Sequence, residues 1–487
     1  MSTQGSHTQT PPARETYSRF DDPIGNPTYA SVMALASAIR NKQISSEEVV
    51  KANLQRIEAI NPRLNAVVQV ADEQALAEAH KADADLAKGT VRGPLHGVPM
   101  TIKDCLDTAG VISTGGTKGR AAFVPAHDAT VVARLRAAGA ILLGKTNTPE
   151  LTIAYETDNL IYGRTNNPYD LSRTSGGSSG GSAAIVAAGG SPFDIGSDTG
   201  GSLRVPAHCC GTVAIRPTSG RVPRTGLILP PAGALDGLTQ IGPIARYVED
   251  LALILPIIAG VDWHDPAIVP MKLENPDHVD LKTLRIAMHT DNGIVPPTRE
   301  TVSTVQAAAA ALADAGMSVS EARPVGIEQT FDLFFGLFAA DSGAGIQMLL
   351  QMYGTTEVSP AIQGVLELVS AHPMSGAEFS GLLVQLDMFR SAMLSFMQAY
   401  DVILCPACAH PAPLHGSSYS PEGLRGYSYT QTYNLTGWPA AVVRGSTSPD
   451  GLPIGIQIVA RPWREDVALA VSQYLEQALG GWKVPSL

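Results

Sequence analysis

The chain has 487 residues, of which 44% are hydrophobic and 16% are charged, a composition typical of a large globular protein and not of a disordered one. Its formal net charge is −11 and it has no run of lysine or arginine, so nothing in the charge pattern supports a nucleic-acid partner. We therefore expect a protein that acts on small molecules.

The N-terminal residues and the apolar stretches indicate where in the cell the protein is expected. Residues 1–25 are polar and lack the apolar region of a signal peptide, so they are expected to form a flexible tail. The most apolar stretch, residues 251–259, is short and contains Pro256, so no transmembrane helix is predicted. We expect a soluble, cytoplasmic protein whose single large domain covers residues 26–487.

Helix and strand signals alternate along the chain. Ser45 and Glu48 form a capping box, and the helix that it opens is expected to end before Asn61-Pro62. Asp128 is expected to cap another helix, which runs through Ala138. Further helices are predicted over residues 73–87, 248–259, 299–315, 331–352 and 377–400. Short strands are predicted over residues 97–102, 141–143, 285–288, 402–404 and 454–459. This alternation predicts an α/β fold, with a mixed central sheet covered by helices on both faces.

Five cysteines are an odd number for a disulfide framework, and the chain shows no secretion signal. They are Cys105, Cys209, Cys210, Cys405 and Cys408. The last two form a C-x-x-C motif, but one such pair cannot complete a tetrahedral zinc site. We expect buried, free thiols and no metal.

Two motif matches point to other functions. Residues 139–146 fit the phosphate-binding pattern G-x-x-x-x-G-K-[ST], but their apolar middle predicts a strand where that pattern needs a polar loop. The pattern G-x-S-x-G around Ser179 fits the nucleophile elbow of α/β-hydrolases, which would use a late base such as His410 or His415. Because the turn-rich residues 168–174 precede it in place of a strand, this second interpretation is kept only as an alternative.

Two segments rich in glycine and serine stand out, residues 175–182 with Ser178 and residues 197–206 with Ser202. Glycine lets backbone N–H groups converge on one point, and a serine hydroxyl can attack a carbonyl or relay a proton. The segments therefore indicate acyl-transfer chemistry, although glycine-rich turns also occur where backbones simply pack closely.

Lys103 follows the predicted strand at residues 97–102. Such a lysine usually keeps its charged end in water. If the end is buried instead, desolvation lowers its pKa and the amine can act as a general base. A serine hydroxyl between this lysine and the nucleophile would fix the path of the proton.

With these motifs in order, the chain resembles the amidase signature family of serine hydrolases from about residue 30 to about residue 480. The matching stretches are residues 93–99, Lys103-Asp104, 144–147, Asn167-Pro168, 176–184, 198–206, 433–440 and 452–457. The resemblance implies the amidase signature fold and a Ser–cisSer–Lys triad.

The resemblance also implies a role for each motif residue. Ser202 is expected to be the acylated nucleophile, Ser178 the bridging serine on a cis peptide with Gly177, and Lys103 the base. The oxyanion hole is expected to consist of the backbone N–H groups of Thr199, Gly200, Gly201 and Ser202. Neither a cofactor nor a metal is implied.

Two further sequence features lie close to the predicted nucleophile. Arg204 lies within the motif and is expected to be structural, paired with Asp198. His208-Cys209 stands where the family commonly has a small residue and phenylalanine, so the packing behind the nucleophile is not predicted.

The pocket is less clearly indicated. Residues 331–338 and 348–352 could line an apolar cavity, but apolar residues at helical spacing are more typical of a core. The predicted substrate-binding residues lie beside the motifs and are Met100, Tyr155, Ser179, Leu203 and Trp438. The resemblance implies hydrolysis of small amides, with aryl amides or carbamates favoured. The alternatives are the A-type subunit of a glutamine-dependent amidotransferase and a non-catalytic binding subunit on the same fold. A homodimer is possible.

Overall fold

A mixed sheet of eleven strands runs through the protein in the order β1-β3-β2-β4-β6-β5-β10-β11-β9-β7-β8. The structure is a computed structural model that describes residues 25–229, 233, 235–371 and 373–487. The predicted tail, apart from its last residue, lies outside the described residues. Strand β2 pairs in parallel with β3 and β4, and β7 pairs in parallel with β8 and β9. The remaining pairs are antiparallel.

The strands of this sheet are β1 Val67–Val70, β2 Pro99–Lys103, β3 Ile141–Thr146, β4 Phe193–Asp198, β5 Val213–Arg216, β6 Gln240–Ala245, β7 Arg285–Met288, β8 Ser318–Glu321, β9 Val402–Pro406, β10 Ala440–Thr447 and β11 Pro453–Ala460.

The helices in the described residues are α1 Val32–Arg40, α2 Ser46–Leu64, α3 Asp72–Ala87, α4 Thr130–Ala137, α5 Gly180–Ala187, α6 Arg204–Cys210, α7 Val248–Ile258, α8 Arg299–Asp314, α9 Thr330–Ala339, α10 Ala344–Tyr353, α11 Pro360–Ser370, α12 Gly376–Phe396, α13 Pro421–Arg425, α14 Ser428–Thr436 and α15 Glu465–Leu479.

The central strands are buried on both faces, because side chains alternate between two layers of helices. On β3, Leu142 belongs to a core cluster with α1, α4 and α7, whereas Ile141 and Leu143 belong to a cluster with α3, α5 and α6. On β2, Met100 and Ile102 face the first cluster. The single α/β domain with a mixed sheet covered on both faces is therefore confirmed.

The capping box of α2 is present, with Glu48 and Ser45 bonding each other's backbone N–H groups. The predicted end of this helix was wrong, since α2 continues through Pro62 to Leu64. Leu64 is fully buried, and Asn61 accepts hydrogen bonds from the N–H groups that follow the helix. This anchoring outweighs the one backbone donor that Pro62 removes.

Asp128 does not cap α4, contrary to prediction. Its carboxylate accepts instead from Arg136 Nη1 and from the backbone N–H of Ala109. The charged partner on one side and the loop donor on the other hold Asp128 before the helix, which begins at Thr130.

The helix predicted over residues 331–352 is two helices, α9 and α10. The chain breaks where Ser342 and Gly343 both take positive φ angles, 53° and 85°. Asp341 then accepts from the N–H groups of Gly343 and Gly345 and so caps α10. In the described residues no single helix is long and apolar enough to cross a membrane. Ile327–Ala339 and Ala344–Tyr353 reach that length and composition only as a pair bent by 48°.

Candidate active site

Lys103 is the last residue of β2, and its side chain points away from the face that holds Met100 and Ile102. It is completely buried. Its Nζ donates to Ser178 Oγ at 2.6 Å and to Ser197 Oγ at 3.0 Å. Burial lowers the pKa of Lys103 below its ordinary value, against the opposing charges of Cys105, Asp194 and Asp198. The site therefore favours a neutral amine beside a serine hydroxyl.

Ser178 lies in the turn before α5, and the Gly177–Ser178 peptide bond is cis. A Cβ at Gly177 would lie 2.6 Å from the backbone carbon of Tyr155 and 2.7 Å from the carbonyl oxygen of Ala154. Because those neighbours are backbone atoms, only glycine fits there.

Ser202 lies in the turn between β4 and α6 and lines a cavity. The backbone N–H of Ser179 donates to the carbonyl of Ser202 at 3.2 Å and so ties the two serine-containing turns together. The hydroxyls of Ser178 and Ser202 are not hydrogen-bonded to each other in the described structure. Such contacts often shorten only when substrate is bound.

The backbone donors around Ser202 divide into two kinds. Within the described residues, the N–H groups of Thr199, Gly200 and Ser202 donate to no acceptor, so they are available to a ligand. Gly201 differs from the prediction, because its N–H donates to Asp198 Oδ1 at 2.8 Å. Three of the four N–H groups predicted for the oxyanion hole are therefore free in the described structure.

Asp198 and Arg204 form a fully buried ion pair beneath this turn, as expected. Arg204 donates to Asp198 through Nε and Nη2, both at 2.9 Å. Burial alone would raise the pKa of Asp198, but the charge of Arg204 and the hydrogen bonds hold it well below its ordinary value. The carboxylate also accepts from the Leu203 N–H, so it shapes the turn that carries Ser202.

Asn434 and Gln457 complete the network, a role that the sequence did not reveal. Asn434 donates to Asp198 at 2.8 Å and accepts from Arg204 at 2.6 Å, while Gln457 accepts from Arg204 at 2.7 Å. Both lie in stretches that carry the family resemblance, and that position was the available signal.

A cavity of about 1320 Å³ extends from Ser202 outward. Thr199, Gly200 and Tyr155 line it together with Ser202. Its other walls are mainly apolar side chains from α9, α10 and α11, and the lining includes Phe331, Phe334, Phe335, Phe338, Ile346, Met348, Leu349, Val365 and Leu368. The aromatic stripe of residues 331–338 thus lines a cavity, although its spacing is more typical of a core. Helix packing leaves one face of α9 uncovered.

Of the five predicted substrate-binding residues, Tyr155 lines the cavity, and the other four do not. Met100 and Leu203 are fully buried in the two core clusters, and Trp438 is buried in a third. Ser179 is buried and donates to the carbonyl of Ser197. Strand alternation and tight turns direct these side chains away from Ser202, although they neighbour the motifs in sequence.

His410 and His415, the two candidate bases for Ser179, contact other groups in the described structure. His415 approaches Glu156 at 3.9 Å, and His410 Nδ1 lies 3.0 Å from the carbonyl of Pro411. His208 is buried and accepts from the N–H of Gly455 at 2.9 Å, so it joins α6 to β11. This contact accounts for histidine behind the nucleophile.

All five cysteines are buried and free. Cys405 lies 3.6 Å from the hydroxyl of Tyr433, and Cys408 donates to the carbonyl of Gly426. Over the described residues, no group of three or more histidine, cysteine or acidic side chains could hold a metal ion. The C-x-x-C motif is part of the packed interior.

Comparison with known proteins shows the family to which the chain is similar. The family model described as Amidase matches residues 48–469. The acylamidase of Rhodococcus erythropolis is 34% identical over an alignment of 464 positions, which covers 92% of this chain and 95% of the relative. The fatty-acid amide hydrolase 2-B of Danio rerio is 35% identical over an alignment of 499 positions including gaps, which covers 96% of this chain and 92% of the relative. The A-type subunit of the glutamyl-tRNA(Gln) amidotransferase of Moorella thermoacetica is 34% identical over an alignment of 479 positions, which covers 92% of this chain and 96% of the relative.

Solved structures give the same match. The 6-aminohexanoate cyclic dimer hydrolase, complexed with substrate, has a TM-score of 0.83 at 29% identity and covers 93% of this chain and 97% of its own. A bacterial aryl acylamidase of the amidase signature family has a TM-score of 0.82 at 27% identity, and the match covers 92% of this chain and 96% of the aryl acylamidase.

Proposed function

The chain belongs to the amidase signature family and hydrolyses amide C–N bonds, and we propose that it does so through an acyl-enzyme on Ser202, with aryl amides and aryl carbamates as substrates. The observation that carries the proposal is the hydrogen bond from the buried Lys103 amine to Ser178 Oγ, at 2.6 Å. The neighbouring turn carries Ser202, which lines the cavity.

In the first half of the proposed reaction, neutral Lys103 accepts the proton of Ser178 while Ser178 accepts the proton of Ser202. The Ser202 oxygen forms a bond to the substrate carbonyl carbon, and the carbonyl oxygen becomes an oxyanion. The free N–H groups of Thr199, Gly200 and Ser202 stabilise that oxyanion. Removing one such donor typically costs about 3–4 kcal/mol of transition-state stabilisation.

In the second half, the proton on Lys103 returns through Ser178 to the leaving nitrogen as the C–N bond breaks. Water then attacks the acyl-enzyme, gives its proton to Lys103 through Ser178, and releases the carboxylic acid as Ser202 regains a proton. Each proton taken from a hydroxyl is thus returned, and this route uses protein groups and water.

The cavity supports the choice of substrate. Its largely apolar walls and its aromatic side chains from α9 suit an aryl or alkyl group on either side of the reacting carbonyl. The acylamidase relative and the aryl acylamidase structure support the same class.

A second candidate is the A-type subunit of an amidotransferase, because several relatives at 33–34% identity carry that description. Such a chain would act on glutamine together with partner subunits. The two candidates differ in what the isolated protein can hydrolyse.

The test is hydrolysis by the purified chain of 4-nitroacetanilide, an alkyl N-arylcarbamate and glutamine, with release of the amine or ammonia as the readout. We expect turnover of the first two without any partner. Turnover of glutamine alone, and only after partner subunits are added, would replace the proposal with the second candidate. A chain that hydrolyses none of them and is not labelled by a fluorophosphonate would instead be a binding subunit.

A further inference from the structure

Gly200 and Gly201 separate two of the free N–H groups in the turn that carries Ser202. The N–H of Gly200 precedes the peptide between the two glycines, and the N–H of Ser202 follows it. Gly201 has a φ angle of 126°, which residues with a side chain rarely adopt. Because no Cβ restricts rotation at either glycine, the turn cannot hold its N–H groups in one direction by itself. Neighbouring groups must supply that restraint.

The peptide between the two glycines is held at both of its polar ends. The Gly201 N–H donates to Asp198 Oδ1 at 2.8 Å. The hydroxyl of Tyr155 lies 2.9 Å from the Gly200 carbonyl and donates to it. A Cβ at Gly200 would lie 2.7 Å from that same hydroxyl, so the contact is close enough to require glycine. Since the N–H and the carbonyl belong to one planar peptide, these two hydrogen bonds fix its orientation.

Thr430 provides a second, shared donor to the Gly200 carbonyl. Its Oγ1 lies 2.9 Å from that carbonyl and also 2.9 Å from the carbonyl of Tyr427. A threonine hydroxyl has one hydrogen, so it is divided between the two acceptors. Tyr155 is therefore the main donor to Gly200, and Thr430 assists it.

The hydroxyl of Tyr155 is itself fixed by the protein. Gln431 Nε2 donates to it at 2.9 Å, and the ring stacks on Tyr427 with centroids 4.1 Å apart. A phenol has one hydrogen to donate, and the carbonyl of Gly200 can only accept it. Although Tyr155 lines the cavity, the hydrogen of its hydroxyl is thus used within the protein and not by a substrate.

We propose that Tyr155 is a positioning residue, which holds the Gly200–Gly201 peptide so that the free N–H groups on either side of it point at the oxyanion. This inference rests on the proposed function, in which those N–H groups stabilise the negative oxygen formed when Ser202 attacks the substrate. Donors that are fixed beforehand need not reorganise as the charge develops, so they stabilise the transition state more than the bound amide. Loss of the hydroxyl therefore lowers kcat more than it raises KM.

The experiment compares Tyr155→Phe with the wild-type protein on 4-nitroacetanilide. The change removes one hydroxyl and keeps the ring that stacks on Tyr427. We expect kcat to fall about tenfold and KM to stay nearly the same, as for the loss of one hydrogen bond made in the transition state. Tyr474→Phe on α15 is the matched control, because that hydroxyl also donates to a backbone carbonyl, of Ala311 at 3.1 Å. It is expected to change neither constant.

Inhibition by 2,2,2-trifluoroacetophenone separates oxyanion stabilisation from a general disturbance of the site. The oxygen of Ser202 bonds to the ketone carbon, the ketone oxygen becomes an oxyanion, and the serine proton passes through Ser178 to Lys103. This adduct needs the free N–H groups but no cleavage of a C–N bond. We expect the inhibition constant to rise about tenfold in Tyr155→Phe and to stay unchanged in Tyr474→Phe.

A higher KM with an unchanged kcat in Tyr155→Phe would indicate substrate contact and overturn the inference, as would an unchanged inhibition constant for the ketone. If Tyr155→Phe does not fold, Thr430→Val and Thr430→Ser decide, because Thr430 is fully buried. A lower kcat in Thr430→Val alone supports the inference, and equal activity of the two variants overturns it. Wild-type protein that neither hydrolyses the amide nor binds the ketone would overturn the proposed function as well, whereas an active wild type with an unaffected Tyr155→Phe overturns the inference alone.

Discussion

Lys103 Nζ and Ser178 Oγ lie 2.6 Å apart in a completely buried part of the protein. Burial disfavours the charged ammonium and lowers the pKa of Lys103, so the amine can accept a proton. Ser197, at 3.0 Å from the same nitrogen, holds the lysine from the other side. This pairing gives the proposed mechanism its base and the first step of its proton path.

Lys103→Ala is predicted to impair amide hydrolysis more than ester hydrolysis, because an amine leaving group needs the returned proton and a nitrophenolate does not. We expect kcat/KM for 4-nitroacetanilide to fall by about 10³, and the value for 4-nitrophenyl acetate to fall by at least tenfold less. Steady-state kinetics on both substrates measure this. Lys51→Ala, at an exposed lysine of α2, is the control, and equal losses in Lys103→Ala would contradict the relay.

The pH dependence of the wild-type protein follows from the same residue. The active form has neutral Lys103, so kcat/KM for the amide is predicted to rise with pH as the lysine loses its proton and then to reach a plateau. Because burial lowers the pKa of Lys103, the rise lies below the ordinary value of 10.5. A kcat/KM that decreases across this range would show that a protonated group is required instead.

Asp198→Asn is predicted to destabilise the protein by about 3–5 kcal/mol, because it leaves the fully buried Arg204 guanidinium without its charged partner. The free energy of unfolding in urea measures the loss. The double variant Asp198→Asn/Arg204→Met removes both charges, so it is expected to lose less than the sum of the two single changes. Additive losses would contradict the importance of the ion pair.

Asp250 is predicted to make stability fall as pH rises. It is fully buried and accepts from the Met33 N–H, and burial together with Glu249 raises its pKa to about 8. Below the ordinary pKa of 3.8 both folded and unfolded states hold the proton. Between there and about 8 the unfolded state releases it while the folded state keeps it, so folding becomes less favourable with rising pH.

Asp250→Asn removes this titration and mimics the protonated acid. Its free energy of unfolding relative to wild type is expected to increase between about pH 5 and pH 8, by an amount on the order of a few kcal/mol. Urea unfolding at several pH values gives the comparison, with Asp277→Asn at an exposed position as the control. A difference that is constant with pH would show that Asp250 keeps its ordinary pKa.

Much of the fold could be predicted from local patterns. The strand that ends at Lys103 and the helices at residues 73–87 and 299–315 lie within a residue or two of their predicted places, because their signals are local. The break at Gly343 was missed, since the cap that makes it depends on the acidic side chain of Asp341 within an apolar run.

The candidate site could be predicted only where a motif carried it. Lys103 and Ser178 are brought together by sheet and turn, as the motifs implied. The use of the Gly201 N–H by Asp198 and the hydrogen bond from Tyr155 to the Gly200 carbonyl depend on side chains that meet the turn only after folding. The spacing of apolar residues on α9 could not show whether that face lines a cavity or packs in a core, because both have apolar side chains at helical spacing.

The central claim is that Ser202 forms the acyl-enzyme, and active-site labelling tests it most directly. Wild-type protein and Ser202→Ala are treated with a fluorophosphonate, and the intact mass and the labelled peptide are measured. We predict one adduct, on Ser202, with loss of amide hydrolysis, and no adduct on a folded Ser202→Ala protein with an unchanged melting temperature. Labelling of Ser179 or another residue, or amide turnover retained by Ser202→Ala, would contradict it.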